Sequence, residues 1–199
     1  MERGRYKKFI DEKISEIAKE KIIIDIGGGE RFTKWLSEYK NLFENSDYKT
    51  MDFDNSTGAD IVGDIHNIPV ENESIDAIIC SSVLEHIENP IIAVKEIHRI
   101  LKKGGKLFVH VPSIYPYHAR KGHYHDYWRF FDDTINLLFK DFSKVEFVKR
   151  GSYFKAIFFF LPFQHRLRFI IDPLAEFLDF LFKTEKKSTT AGYYIYAIK

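Results

Sequence analysis

Five short stretches of the chain place acids, glycines or hydroxyls directly after apolar runs. Asp25-Ile26-Gly27-Gly28-Gly29 closes the run Ile22-Ile23-Ile24, and Asp52 closes Tyr48 to Met51. Gly63-Asp64 follows Ile61-Val62, Ser81-Ser82 follows Ile78-Ile79-Cys80, and Pro112-Ser113 follows Leu107 to Val111. Glycines let the backbone approach a ligand where a Cβ would collide, and a helix starting near Arg31 would turn unsatisfied N–H groups toward a polar or negative group. An acid ending a second strand is placed to accept hydrogen bonds from two ribose hydroxyls. A nucleoside-containing cofactor is implied.

The loop decides which nucleoside. A dinucleotide fold wants G-x-G-x-x-G, and counting from Gly27 and Gly29 puts Phe32 where the third glycine belongs. Asp25, two residues before the first glycine, suits a cationic amine or sulfonium better than a pyrophosphate. S-adenosylmethionine fits both features, and an NAD-dependent oxidoreductase is disfavoured.

Four of the eight histidines, His110, His118, His123 and His125, crowd into and after the Leu107 to Val111 run. His118 and His125 are candidate bases for an acceptor hydroxyl. Tyr115, Tyr117, Tyr124, Tyr127 and Trp128 read either as a stacking wall for a ring or sugar or as a packed aromatic cap. Arg129 is correspondingly a carboxylate or phosphate clamp, or a partner of Asp126 or Asp132. His123-x-His125-Asp126 alternates as a metal pair would in an extended chain, but no third firm ligand accompanies it, so no metal is expected. Asp52 to Gly63 superficially resembles a calcium loop; its glycine falls one place late and its twelfth position is Gly63, which excludes that reading.

The elements that must position these groups follow from periodicity. Tyr6, Phe9, Ile10, Ile14, Ile17 and Ala18 recur at helical spacing and predict an amphipathic N-terminal helix within residues 1–20. Ile22 to Ile26 has no polar alternation, as in a strand buried on both faces. A helix carrying Phe32, Trp35, Leu36 and Tyr39, then strands at Tyr48 to Phe53, Ala59 to Val62 and Asp76 to Cys80, continue a βαβ rhythm. Asn89 and Pro90 start a further helix that Gly104-Gly105 closes. Strands at Lys106 to Val111, Lys144 to Lys149 and Tyr193 to Ile198, with a helix at Phe131 to Phe142, complete a Rossmann-like doubly wound, seven-stranded, mostly parallel α/β sheet with helices on both faces. Residues 1–199 read as one domain with an acceptor-side segment at 112–131 and an apolar insertion at 153–185.

Composition sets the outer bounds. Thirty Lys and Arg against 29 Asp and Glu leave a formal charge of +1, which offers no electrostatic footprint for nucleic acid. One cysteine, Cys80, rules out an internal disulfide framework and fits a reducing, cytoplasmic setting; ending a buried run, it reads as inert packing. The charge-dense stretch from Met1 to Lys21 lacks the apolar run of a secretory signal. Phe154 to Phe182 holds nine of the nineteen phenylalanines, yet Pro162, Arg166, Arg168, Asp172 and Pro173 interrupt it short of a membrane span. Burial against a partner copy, a lipid surface, an acceptor's tail or its own domain are all open.

The stretches IIIDIGGGE, MDFD, GDIHNIP, SIDAIICSSVLEHI and NPIIAVKEIHRILKKGGKLFVHVP together resemble the class I S-adenosylmethionine-dependent methyltransferases, in particular the type 11 group. The resemblance covers Ile22 to about Val111. It implies that Asp25, Gly27 and Gly29 lie at the methionine end of the cofactor with Gly28 between, Asp52 at the ribose, Asp64 with Ile65 at the adenine, and Ser81 in the cofactor wall. Arg31 stands where the family usually has a third glycine. YPYHA…DYWRF segments occur in relatives that modify glycans and cell envelopes, implying a small-molecule or lipid-linked glycan acceptor methylated on oxygen, less readily on nitrogen. The alternative is a cofactor-binding regulatory protein without turnover.

Overall fold

The structure is a computed structural model that describes residues 2–161, 166–184 and 189–199; Pro162 and the far end of the expected insertion lie outside them. Seven strands form one sheet: β1 (Ile22–Ile26), β2 (Asp47–Asp52), β3 (Ile61–Val62), β4 (Ile75–Ser81), β5 (Leu101–Pro112), β6 (Lys144–Arg150) and β7 (Gly192–Ile198). Their spatial order is β3, β2, β1, β4, β5, β7, β6. The first five pair in parallel, and β7 runs antiparallel between β5 and β6. The expected mostly parallel Rossmann-like sheet is thus present.

Strand β1 shows why the sheet is covered on both sides. Ile23 points into one cluster, with Ala77, Ile79, Phe108 and Tyr196, against Ile10, Ile14 and Ile17 of helix α1 (Glu2–Ile17) and Leu36, Tyr39 and Phe43 of a 3-10 helix at Lys34–Phe43. Ile24 and Ile26 point the other way, toward Ala93, Val94, Ile97 and Ile100 of α2 (Pro90–Ile100) and Ile135 and Leu138 of α3 (Asp132–Leu138). Alternate side chains of an unbroken apolar run therefore feed two cores.

Several boundaries differ from those expected. The segment after the glycine loop is a 3-10 helix that begins at Lys34, so no helix N-terminus stands at Arg31. Leu36, Tyr39 and Phe43 repeat at three and four residues, a spacing that both helix types share. Helix α2 has the expected start, with the Asn89 side chain accepting from the Ile92 N–H at 3.2 Å, but it ends at Ile100 before the glycines. Leu101 is fully buried and pairs with Ile75, the register then slips, and pairing resumes at Lys106 with Ala77. Gly104, at φ +76°, belongs to that bulge and does not cap the helix. Strand β3 is only Ile61–Val62, because Asp60 is drawn into side-chain bonding.

Between β6 and β7 the chain forms α4 (Tyr153–Phe158) and α5 (Arg168–Leu181). Ala156, Ala175 and Asp179 are buried there, while Phe169, Phe177, Phe180 and Phe182 are each more than half exposed. Asp179 ties the two helices, accepting from the Ser152 and Thr184 hydroxyls and from the Phe154 N–H at 3.1 Å. Among the described residues no helix is long and apolar enough to cross a membrane.

Candidate active site

A cavity of about 1100 Å³ opens at the carboxyl ends of β1 to β5, where a parallel sheet binds its ligands. Its first half is lined by Gly27, Gly28, Gly29, Asp52, Asp64 and Ile65. Gly27 has φ +72°, and a Cβ there would stand 2.3 Å from Val83 Cγ2; one on Gly28 would meet Asp25 Oδ2 at 2.5 Å. The loop therefore needs glycine both for its turn and for its packing against Val83, just beyond β4, and Asp25.

Asp25 supports this loop from behind and is not part of the cavity wall. Its carboxylate is buried and accepts from the Tyr48 hydroxyl at 2.7 Å; burial, reinforced by Asp25, raises the Tyr48 phenol far above its usual range. Asp52 faces the cavity, its Oδ1 accepting from the Asp54 N–H at 3.0 Å and its Oδ2 lying 4.0 Å from where a Gly29 Cβ would stand. Asp64 is half engaged: Oδ1 accepts from the His66 N–H at 2.9 Å and approaches His66 Nδ1 at 2.7 Å. The wall expected from Ser81 is supplied one residue later by Ser82, held at φ +57°. Arg31 lies outside the cavity, paired with Asp60.

The second half of the cavity is the acceptor side, lined by Glu85, His86, His110, Tyr115, His118, His123, His125, Tyr127 and Arg150 among others. Two expectations fail here. Trp128 is absent from the wall, its indole N–H donating to the Ile87 carbonyl at 2.9 Å. Arg129 is no clamp: its donors go to both Asp126 oxygens at 2.6 and 2.7 Å and to the carbonyls of Tyr115, Pro116 and Trp128. A guanidinium has five N–H donors, and all five are used within the loop. The pair with Arg129 holds Asp126 down at about 2. The same Asp126 accepts from the His118 N–H at 2.8 Å, so the arginine fastens the segment that presents His118. His123 and His125 diverge, the first 3.8 Å from Asp54 Oδ2 and the second with its ring against Tyr127, which removes the alternating metal pair.

The sequence reading missed Glu85, His86 and Arg150, and singled out His110 without a role. Glu85 and His86 sit in a 3-10 turn (Leu84–His86) just beyond β4, and the Glu85 carbonyl accepts from the Tyr127 N–H at 2.8 Å. Glu85 is 1% exposed, and burial, with repulsion from Asp126, pushes its carboxyl up to about 8. The adjacency of an acid and a histidine just after the fourth strand was the available signal. His110 accepts at Nε2 from Arg150 at 3.1 Å, so its Nδ1 carries the proton toward Ser82 Oγ at 2.8 Å. Burial and the arginine keep His110 neutral. Arg150 thus stands where the expected Arg129 clamp does not.

A parallel sheet with glycines and acids at its carboxyl ends, and a histidine-rich lobe continuous with them, defines a Rossmann-like enzyme that uses a nucleoside cofactor. Residues 2–151 match the family described as a methyltransferase domain, and the chain belongs to that family of S-adenosylmethionine-dependent methyltransferases. The class I, type 11 resemblance stands with it, and S-adenosylmethionine is the cofactor. A 52-residue stretch is 41% identical to an uncharacterized 37.1 kDa protein in transposon TN4556 of Streptomyces fradiae, covering 26% of this chain and 15% of that protein. Among solved structures, a SAM dependent methyltransferase from Archaeoglobus fulgidus superposes with TM-score 0.63 at 14% identity, covering 99% of this chain and 94% of that one. Phosphoethanolamine N-methyltransferase 2 of Haemonchus contortus, in complex with S-adenosyl-L-methionine, gives TM-score 0.59 at 15% identity over 96% of this chain and 52% of that one. At such identities these two likenesses bear on the fold alone.

The glycine loop, Asp52 and the Asp64–Ile65 turn, which line the cavity, are the residues that would hold this cofactor: open backbone, an acid that could accept from ribose hydroxyls, and a polar edge with an apolar neighbour. When bound, the cofactor supplies an electrophilic methyl group.

Proposed function

We propose that the protein methylates a hydroxyl oxygen of a small or lipid-linked acceptor, glycans included. The observation that carries this reading is the continuity of one cavity from the glycine loop and Asp52 to His118 and His125. A methyl group leaves sulfur by in-line displacement, so the chain's task is to align the acceptor oxygen, the carbon and the sulfur. The oxygen lone pair forms the new O–C bond, the S–C pair stays on sulfur, and the hydroxyl proton passes to a base. His118 and His125 both line the acceptor lobe and are in reach of a hydroxyl bound there. Tyr115 and Tyr127 offer ring faces for a sugar, and Arg150 offers a cation for a phosphate or carboxylate.

The apolar hairpin of α4 and α5 supports the lipid-linked form of the acceptor. Tyr115 touches Phe159, with ring centroids 5.3 Å apart, so the acceptor lobe adjoins the phenylalanine-rich segment. An acyl or prenyl tail leaving the cavity on that side would meet Phe160, Phe177 and Phe180, which water otherwise covers.

Incubation with radiolabelled S-adenosylmethionine and a panel of sugars, sugar phosphates and lipid-linked saccharides tests the reading. Label appearing in an acid- and base-stable ether of one panel member is expected. Label confined to nitrogen, or binding of the cofactor with no transfer to any hydroxyl, overturns it.

A further inference from the structure

We propose that Glu85, His86 and His118 form a binding site for one divalent transition-metal ion of the zinc type, on the floor of the acceptor lobe. The inference deepens the reading above, because an ion there would bind the acceptor oxygen.

The three side chains come from two separate segments and converge on one point. Glu85 Oε1 lies 3.8 Å from His86 Nε2 and 4.0 Å from His118 Nε2, and the three ligand atoms all lie within 4.8 Å of one another. A tetrahedral ion with bonds of ~2.0–2.1 Å places its ligand atoms about 3.3 Å apart. A contraction of well under an ångström per side chain reaches that spacing.

Both imidazoles are already set for it. His86 Nδ1 is 2.6 Å from the His125 carbonyl, and a carbonyl can only accept, so Nδ1 carries the proton and Nε2 keeps its lone pair. His118 Nδ1 lies 3.1 Å from both the Pro116 carbonyl and Asp126 Oδ2, two acceptors, which fixes the same tautomer. A metal-ligating histidine usually gives its other ring N–H to a carbonyl or carboxylate in this manner, which orients the ring and raises its basicity. Asp126 is in turn anchored by Arg129, so that pair finds its use in positioning His118.

The independent sign of a ligand is Glu85. Its side chain is almost wholly buried and lines the cavity; Oε1 faces the two imidazoles, and among the described residues Oε2, on the same carboxyl, has no hydrogen-bond partner. Among the described residues no lysine or arginine forms an ion pair with it. Burial makes it costly to charge this carboxyl, and a cation held between Oε1 and two imidazole lone pairs would offset that cost. Two nitrogens and one carboxylate favour zinc, cobalt, iron or nickel over magnesium or calcium, which want oxygen ligands. Three protein ligands leave a coordination position open toward the cavity, where an acceptor hydroxyl would bind and acidify. His118 Nε2 is then a ligand, and the proton goes to His125, whose exposed ring lines the same lobe.

The test uses the whole chain, stripped with chelator and titrated with Co2+ and Zn2+ by calorimetry and visible absorption. One equivalent of Co2+ with the intense bands of a four-coordinate site is expected, displaced by one equivalent of Zn2+. Glu85→Gln, His86→Gln and His118→Asn should each weaken binding by at least the ~10–100-fold typical of losing even a supporting partner. Asp126→Asn should weaken it within that range, and His123→Ala should leave it unchanged. Cofactor affinity and the thermal melt, measured on each variant, show that it is folded. No binding to the folded wild type overturns the proposal, as does binding that survives both His86→Gln and His118→Asn. Because these readouts need no acceptor, failure to methylate any hydroxyl would sink the proposed function and leave the metal site standing.

Discussion

Arg31 and Asp60 close a two-pronged ion pair, Nε to Oδ2 at 2.8 Å and Nη2 to Oδ1 at 2.6 Å, across the outer edge of the sheet. Asp60 also accepts from the Thr50 N–H at 2.8 Å, so the pair ties the loop after β1 to β2. Arg31, which stands where the resembled family usually has a third glycine, is therefore fastened outside the cavity. Arg31→Ala should leave S-adenosylmethionine affinity within about twofold of wild type and cost at most ~1 kcal/mol of stability, the range of an exposed pair. A larger loss of affinity by calorimetry would show that Arg31 shapes the cofactor site.

The same pair gives a pH dependence with a definite sign. The bond from Arg31, helped by Thr50, lowers the Asp60 carboxyl to about 2 against an ordinary value of ~3.9. A depressed folded value stabilises the native state above the unfolded value and is lost as the pH falls toward the folded one. Urea melts of wild type should therefore lose stability between about pH 4 and pH 2, and Asp60→Asn should flatten part of that fall. Parallel curves for the two proteins would refute the assignment.

Asp52 and Asp54 are two residues apart and should behave differently. Asp52→Ala removes the acid facing the cavity beside Gly29, and it should cost about 1.5–3 kcal/mol of cofactor binding through unpaired ribose hydroxyls. The Asp54 carboxylate is already occupied with the Ser56 N–H and hydroxyl at 2.8 and 2.6 Å, so Asp54→Ala should cost little. Equal losses by titration would place the ribose elsewhere.

If His125 takes the acceptor's proton, His125→Ala should keep cofactor affinity and lose roughly 10²–10⁴ in rate. Among the described residues its side chain makes a ring contact with Tyr127 and no hydrogen bond, and the contact with His86 is through its backbone carbonyl. Loss of cofactor binding in step with rate would mark it instead as part of a packed aromatic cap.

What the chain reveals without its fold is uneven, and the reason is physical. That Gly27 to Gly29 and Asp52 line a cavity was legible because a parallel strand is an apolar run that stops abruptly at the sheet's carboxyl edge. The reversed direction of β7 was not, since Tyr193 to Ile198 has the same composition whether it runs parallel or antiparallel. Gly104 and Gly105 looked like a helix end because a bulge and a C-cap make the same demand for positive φ. Arg129 looked free because its five acceptors are mostly backbone carbonyls, which no side-chain pattern announces. Glu85 and His86 were overlooked because their partner, His118, is 32 residues away and meets them only when the loop folds over β4.

The phenylalanine-rich hairpin permits the sharpest contrast between surface and core. Phe177, Phe180 and Leu181 are 58%, 79% and 56% exposed, while Ala156 and Ala175 of the same hairpin are fully buried. Buried alanines and the Phe154–Phe182 ring contact at 5.6 Å lie within the hairpin, then, while Phe177 and Phe180 face outward. Replacing Phe177, Phe180 and Leu181 with serine should cost no more than about 1.5 kcal/mol in monomer stability, as three surface changes do. A buried phenylalanine alone would cost ~3–5 kcal/mol. If those rings meet lipid, wild type should co-sediment with vesicles and the triple variant should stay in the supernatant, because binding scales with the apolar area inserted. Wild type that is monomeric by light scattering and ignores vesicles of both neutral and anionic composition would refute the lipid contact.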